Sequence, residues 1–259
     1  MKQKLFVGLL SILAIMGCAK RPHQSSDENV DVTKIYNLVI LDCSGSMMPL
    51  QEVAVKGYNE TLDVIRAAQQ QHALEQQNLI TLTLFNHCVT NVYNFDTVTN
   101  IPNLLLQDYQ PGGATAMLDA IGFSCSKLKA RLDSLENATA VVTIISDGEE
   151  NFSRRYSTDD VAKLIDSMKE QGVMFVFMGT NQNVQRVASS LHIDEYRYFE
   201  YSTEGLKDAW QSGMNASADY YDRMSQYNKD TRGMSKQSRN EYYRDHNKAD
   251  GWFDTRKNN

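Results

Sequence analysis

Asp42, Ser44 and Ser46 occupy alternate positions directly after the apolar run Leu38-Val39-Ile40-Leu41. A short apolar run closed by turn formers reads as a buried strand, so the polar cluster stands where that strand emerges. Alternate residues of an extended chain point the same way, and Gly45 lets the backbone curl between the two serines. The three side chains can therefore aim their oxygens at one point. One carboxylate beside two hydroxyls suits a hard, oxygen-seeking cation such as Mg²⁺.

Two further segments offer donors at comparable places. Pro111-Gly112-Gly113-Ala114-Thr115 is a glycine-rich loop running into a helical pattern, with the Thr115 hydroxyl at the junction. Thr143-Ile144-Ile145-Ser146-Asp147-Gly148 is a second apolar strand that ends in a carboxylate. Each of these residues also has a local explanation: Ser44, Ser46 and Asp147 as turn formers, Thr115 as a helix cap.

The three motifs in this order resemble the von Willebrand factor A-type domain, the fold also found in integrin I domains. The metal-ion-dependent adhesion site of that family is marked by Asp-x-Ser-x-Ser, a distant Thr and a distant Asp. The matching positions here are Asp42, Ser44, Ser46, Thr115 and Asp147, and the likeness runs from about Thr33 to Met224. The resemblance implies a Rossmann-like α/β fold with a mainly parallel central sheet, one antiparallel edge strand and helices on both faces. It also implies bound Mg²⁺, with Mn²⁺ or Ca²⁺ as substitutes, and a protein partner that contributes an Asp or Glu carboxylate to the ion. The donor chemistry agrees. Two carboxylates roughly neutralise a divalent ion, while three hydroxyls add oxygen without charge and leave it able to take an external carboxylate.

Neighbouring residues carry lesser expectations. Asp119 lies one helical turn beyond Thr115, where it reads either as a surface charge or as a carboxylate that hydrogen-bonds the ligands. Glu149 and Glu150 read as solvated loop acids that could shape the rim. Cys43 reads as a packed thiol. Other metal and catalytic motifs fit poorly. An EF-hand loop starting at Asp42 would need Gly at 47 and Glu at 53, where Met47 and Val53 stand. Ser44 takes the place of the second acid of a haloacid-dehalogenase-type phosphatase. The histidines show no zinc spacing, and neither a Gly-x-Ser-x-Gly elbow nor a Gly-Lys-Ser/Thr phosphate loop occurs. His87 reads as a surface turn residue.

The elements that must position these groups alternate. Strands are expected at Ile35 to Asp42, Leu79 to Asn86, Ala140 to Ser146, Val173 to Gly179 and Tyr196 to Tyr201. Helices are expected at Val53 to Gln70, Thr115 to Leu135, Thr158 to Gln171, Val184 to Leu191 and Glu204 to Met224. This order implies a mainly parallel sheet covered on both faces. Cys88 to Phe95 follows the second strand after His87 alone, too short a link for a parallel crossover, so it must be an antiparallel partner. After Met224 the periodicity fades, and residues 225–259 read as a polar, poorly packed tail whose tyrosines and Trp252 could dock.

The first residues carry an address. Lys2 and Lys4 precede an apolar run to Met16, too short to span a bilayer and laid out like a secretory signal. Ile15-Met16-Gly17-Cys18 resembles the lipobox of bacterial lipoproteins, which implies cleavage after residue 17 and acylation of Cys18. Residues 18–32 then read as a flexible tether and residues 33–224 as the domain, held to the bacterial cell envelope outside the cytoplasm. Cys43, Cys88 and Cys125 read as buried free thiols. A net charge of −6 over 259 residues, with no basic domain to neutralise phosphates, argues against nonspecific nucleic-acid binding. The expected function is a non-enzymatic, membrane-anchored binding module; the alternatives are a metal-dependent phosphate-ester hydrolase and a structural envelope protein with a vestigial metal site.

Overall fold

A computed structural model describes residues 32–147, 149–180 and 184–253. The signal and lipid site read at 1–18, and nearly all of the tether, lie outside these residues. Six strands form one sheet: β1 (Thr33–Asp42), β2 (Gln76–Phe85), β3 (Val89–Thr97), β4 (Ala138–Ser146), β5 (Met174–Thr180) and β6 (Glu195–Phe199), in the order β3-β2-β1-β4-β5-β6. β3 pairs antiparallel with β2, and every other neighbouring pair is parallel. The fold expected from the sequence is therefore observed.

The period-two alternation of β1 builds two cores at once. Ile35, Val39 and Leu41 face one layer, with α1 (Gln51–Gln71) and α5 (Thr203–Asp230) over them. Tyr36, Leu38 and Ile40 face the other, under α2 (Met117–Asp133), α3 (Thr158–Lys169) and α4 (Val184–Ser190). Ser157 caps α3 in a reciprocal capping box with Asp160. At Gly57 of α1 the Trp210 ring of α5 packs directly on the helix backbone. A Cβ there would lie 2.2 Å from Trp210, so only glycine admits the indole.

The C-terminal expectation needs correction. α5 continues past Met224 to Asp230, and α6 (Lys236–Asp250) follows it and packs against the domain. Tyr243 and Trp252 are buried, with Trp252 5.1 Å from the Tyr220 ring. Much of the anchoring is polar. Lys236 Nζ donates to the carbonyls of Leu132 and Asp133 at 2.9 and 3.0 Å, Arg239 to that of Glu136 at 2.7 Å, and Asn247 to that of Gly172 at 3.0 Å. The first two lie in the last turn of α2, where i+4 bonding runs out, and the Leu132 carbonyl also accepts the Leu135 N–H at 3.1 Å. Burial built on such bonds leaves no apolar stripe, which is why hydropathy reads the segment as a loose tail. Cys88 also departs from expectation: it is exposed in the β2–β3 turn, while Cys43 and Cys125 are buried, and all three thiols are free. Among the described residues no helix is long and apolar enough to cross a membrane.

Candidate metal centre

Asp42 is the last residue of β1, and Asp147 directly follows β4, its neighbour in the sheet. The chain leaves β1 towards β2 on one side and reaches β4 on the other. The two carboxylates thus stand at the carboxyl ends of the strands, where the order reverses and the crossing connections leave a crevice.

Asp42 is fully buried. Its Oδ1 accepts the Ser44 N–H at 2.7 Å, and its Oδ2 accepts the Ser146 hydroxyl at 2.5 Å. Its carbonyl accepts the Tyr109 hydroxyl at 2.5 Å, which fixes the exit from β1. The chain then turns through a 3-10 segment, Gly45–Leu50, at whose start Ser44 stands without capping it. The Ser44 hydroxyl instead lies 3.1 Å from that of Ser46, and Ser46 Oγ donates to Asp147 Oδ1 at 2.8 Å. Asp147 Oδ2 is buried and, among the described residues, has no hydrogen-bond partner.

The glycine-rich loop closes over this turn. Gly45 N–H donates to the Gly113 carbonyl at 3.1 Å, and Gly112 N–H to the Cys43 carbonyl at 2.9 Å. Gly113 adopts φ +80°, and a Cβ on it would meet His87 at 2.2 Å, so the loop lies flat only with glycine there. Thr115 is buried and is not the α2 cap, a position held by Ala116. Among the described residues its hydroxyl makes no hydrogen bond, whereas its backbone pairs both ways with Asn151, at 2.9 and 3.0 Å.

Among the described residues no cation acts on either carboxylate of the centre. Burial raises the Asp42 pKa against the lowering effect of its bonds from Ser146 and Ser44. Burial also raises Asp147 to about 6, opposed by the Ser46 hydrogen bond and reinforced by the charge of Asp42. Two buried carboxylates, one with a bare oxygen, beside hydroxyls unspent on capping form a donor set that a small divalent cation would satisfy. Among the described residues no three His, Cys, Asp or Glu side chains gather to make any other metal cluster.

The remaining sequence candidates fall elsewhere. Asp119 hydrogen-bonds none of these ligands; its carboxylate accepts the backbone N–H groups of Arg154, Arg155 and Tyr156 at 2.9 to 3.0 Å. These bonds lower its pKa against the opposing effect of its partial burial. Glu149 is exposed, with Arg186 3.8 Å away. Glu150 is the acid that the sequence undervalued: it accepts from Leu118, Phe152 and Ser153 N–H and from the Ser153 hydroxyl at 2.7 to 2.8 Å. Asp119, Glu150 and Asn151 together fasten the segment after Asp147 to the start of α2. Tyr109, Ser146 and Thr180, whose hydroxyl donates to the Asp147 carbonyl at 2.5 Å, were also missed. Their partners lie far off in sequence, and only the Ser-Asp adjacency hinted at one of them.

The von Willebrand factor type A domain family matches residues 38–209, which spans β1 to the first part of α5 and includes every residue of this centre. The chain belongs to this family. Three solved structures share the fold. A von Willebrand factor type A protein from Catenulispora acidiphila is 15% identical with a TM-score of 0.51, over 72% of this chain and 43% of that one. The PilB minor pilin from Streptococcus sanguinis is 11% identical with a TM-score of 0.52, over 75% and 62%. The pilus adhesin SpaC from Lactobacillus rhamnosus GG, in an open conformation, is 11% identical with a TM-score of 0.57, over 73% and 30%. The chain thus spans less than two thirds of each relative. No curated protein matches it. α6 lies wholly beyond the family match.

Proposed function

We propose that this A-type domain is a non-enzymatic binding module that holds a divalent cation, Mg²⁺ first and Mn²⁺ or Ca²⁺ as substitutes, and uses it to bind an acidic group on a protein partner. The observation that carries the reading is the unpartnered, buried Asp147 Oδ2 beside the buried Asp42. Leaving such a charge unpaired is costly, and a cation removes the cost. Asp42, Ser44, Ser46, Thr115 and Asp147 would hold the ion. When bound, it supplies a positive centre for an Asp or Glu of the partner. Exposed Met48 lies within the 3-10 turn that starts at the site, and half-exposed Tyr201 is fixed to the Ser46 carbonyl at 2.6 Å, which adds apolar area for an interface. The printed names of two fold relatives, a minor pilin and a pilus adhesin, are in keeping with a role in protein interaction.

Within the same proposal, Cys18 carries a lipid that anchors the chain to the membrane, residues 18–32 act as a tether, and the domain works in the bacterial cell envelope outside the cytoplasm. Calorimetric titration of the full-length chain with Mg²⁺ and Mn²⁺ tests the core of this reading. One site is expected in the parent and none in Asp42→Ala or Asp147→Ala, with near-native circular dichroism retained. Undiminished cation binding by both variants would overturn it.

A further inference from the structure

Beside the centre, an open groove of ≈ 640 Å³ runs between β3 and α2. It shares a wall with the site. Ala116, one residue from Thr115, lines it, and so does His87, which rests on Gly113 of the closing loop. Its chemistry is cationic in a chain whose net charge is −6. Lys127 and Arg155 line it; among the described residues neither forms an ion pair within 4 Å, and the Arg155 charge acts at longer range on Asp119, whose pKa it helps to lower. The one carboxylate in the wall, Asp119, is already engaged by three backbone N–H groups.

Both cations are positioned by aromatic rings. Lys127 Nζ stands 5.8 Å from the Phe95 centroid, and the Arg155 guanidinium 5.7 Å from that of Phe123. Ring contact uses the face of a guanidinium and leaves its N–H edges free to grip a carboxylate. Asn91 adds neutral donors. The Thr83 hydroxyl donates to Asn91 Oδ1 at 2.8 Å, which orients the amide and leaves its NH₂ group unspent.

We propose that this groove is a second recognition subsite, which takes a further carboxylate of an acidic peptide segment whose first carboxylate reaches the cation. The proposal rests on the cation reading for the first contact only. The groove's own share comes from Lys127, Arg155 and the Asn91 amide, none of which touches the cation ligands. The partner chemistry is thus narrowed from a single acid to a run of acidic residues.

The test is fluorescence anisotropy of the full-length chain with a labelled penta-glutamate peptide, in Mg²⁺ and in chelator. Unlabelled acetate and inorganic phosphate serve as competitors. Lys127→Ala/Arg155→Ala should weaken peptide binding about five- to tenfold in Mg²⁺, as expected for two partly exposed charge contacts. The control Lys56→Ala/Lys163→Ala, with the same change in net charge at other exposed lysines, should leave it within about twofold, since distant exposed charges are screened. Equal binding by the parent and the groove variant, or equal weakening by both double variants, would overturn the subsite. Displacement of the peptide by phosphate at concentrations where acetate has no effect would overturn the carboxylate assignment. Sensitivity to the groove variant that persists in chelator and in Asp42→Ala would uphold the groove. If Mg²⁺ then added nothing to the parent's affinity, the cation reading alone would fail.

Discussion

Removing the charge of Asp147 should stabilise the cation-free protein, and the gain can be worked out from its surroundings. Burial, reinforced by Asp42, carries this carboxyl from 3.8 to about 6 on folding. Because the folded pKa is the higher one, folding favours the protonated form. Its stabilising contribution is complete below the unfolded pKa and is lost as pH rises through about 6. Between pH 5 and 7.5 the loss is about 1.4 kcal/mol, or roughly 3–6 °C in Tm for a domain of this size. Asp42, also raised by burial, acts in the same direction. In chelator the parent should therefore melt higher at pH 5 than at pH 7.5. Asp147→Asn keeps the shape and the acceptor for Ser46 but removes the charge; it should flatten that slope and, by recovering the whole shift of about 3 kcal/mol, raise Tm at pH 7.5 by roughly 6–12 °C. Mg²⁺ at ~1 mM, for a dissociation constant of ~0.1 mM, should add about 1.4 kcal/mol to the parent at pH 7.5 and nothing to the variant. Differential scanning calorimetry of the full-length chain at both pH values, in chelator and then in Mg²⁺, gives all of these numbers. An Asn variant that melts at or below the parent at pH 7.5 in chelator would show that Asp147 is not an uncompensated buried charge, and the reasoning would fail.

Other outcomes follow from the same structure. Trp252→Ala should cost about 3–5 kcal/mol by opening a cavity against Tyr220, measurable by chemical denaturation; a change within 0.5 kcal/mol would mean that the C-terminal segment is not docked in solution. Glu150→Ala should weaken Mg²⁺ binding about tenfold in calorimetric titration while leaving Asp42 and Asp147 in place, because it frees the segment after Asp147 from α2. Thiol alkylation followed by mass spectrometry should modify Cys88 first. Cys43, its pKa raised to about 11 by burial and by the charge of Asp42, and the fully buried Cys125 should react only on unfolding.

Much of this arrangement was legible in the chain. Runs such as Leu38 to Leu41 and, apart from half-buried Thr143, Val141 to Ile145 are buried on both faces in a parallel sheet, so they stand out without a regular alternation of polarity. The short link around His87, residues 86–88, leaves no length for a crossover, so the antiparallel pairing of β3 follows from the chain alone. Asp42, Ser44 and Ser46 were readable together because turn geometry after a strand is local. Glu150 and Asp119 were not readable in their roles. An acid that accepts three or four N–H groups looks the same in sequence as one facing water.

The residue pattern by itself determined the layered sheet, the strand-end positions of both carboxylates and the supply of hydroxyls, because these depend on polarity period and short-range backbone geometry. The tertiary structure alone decided that Ser146 and Tyr109 hold Asp42, that Asp147 keeps a bare oxygen, and that α6 packs against the domain. These contacts join residues 67 to 104 positions apart. Their energies come from burial and from paired or unpaired hydrogen bonds, which exist only once the elements have met.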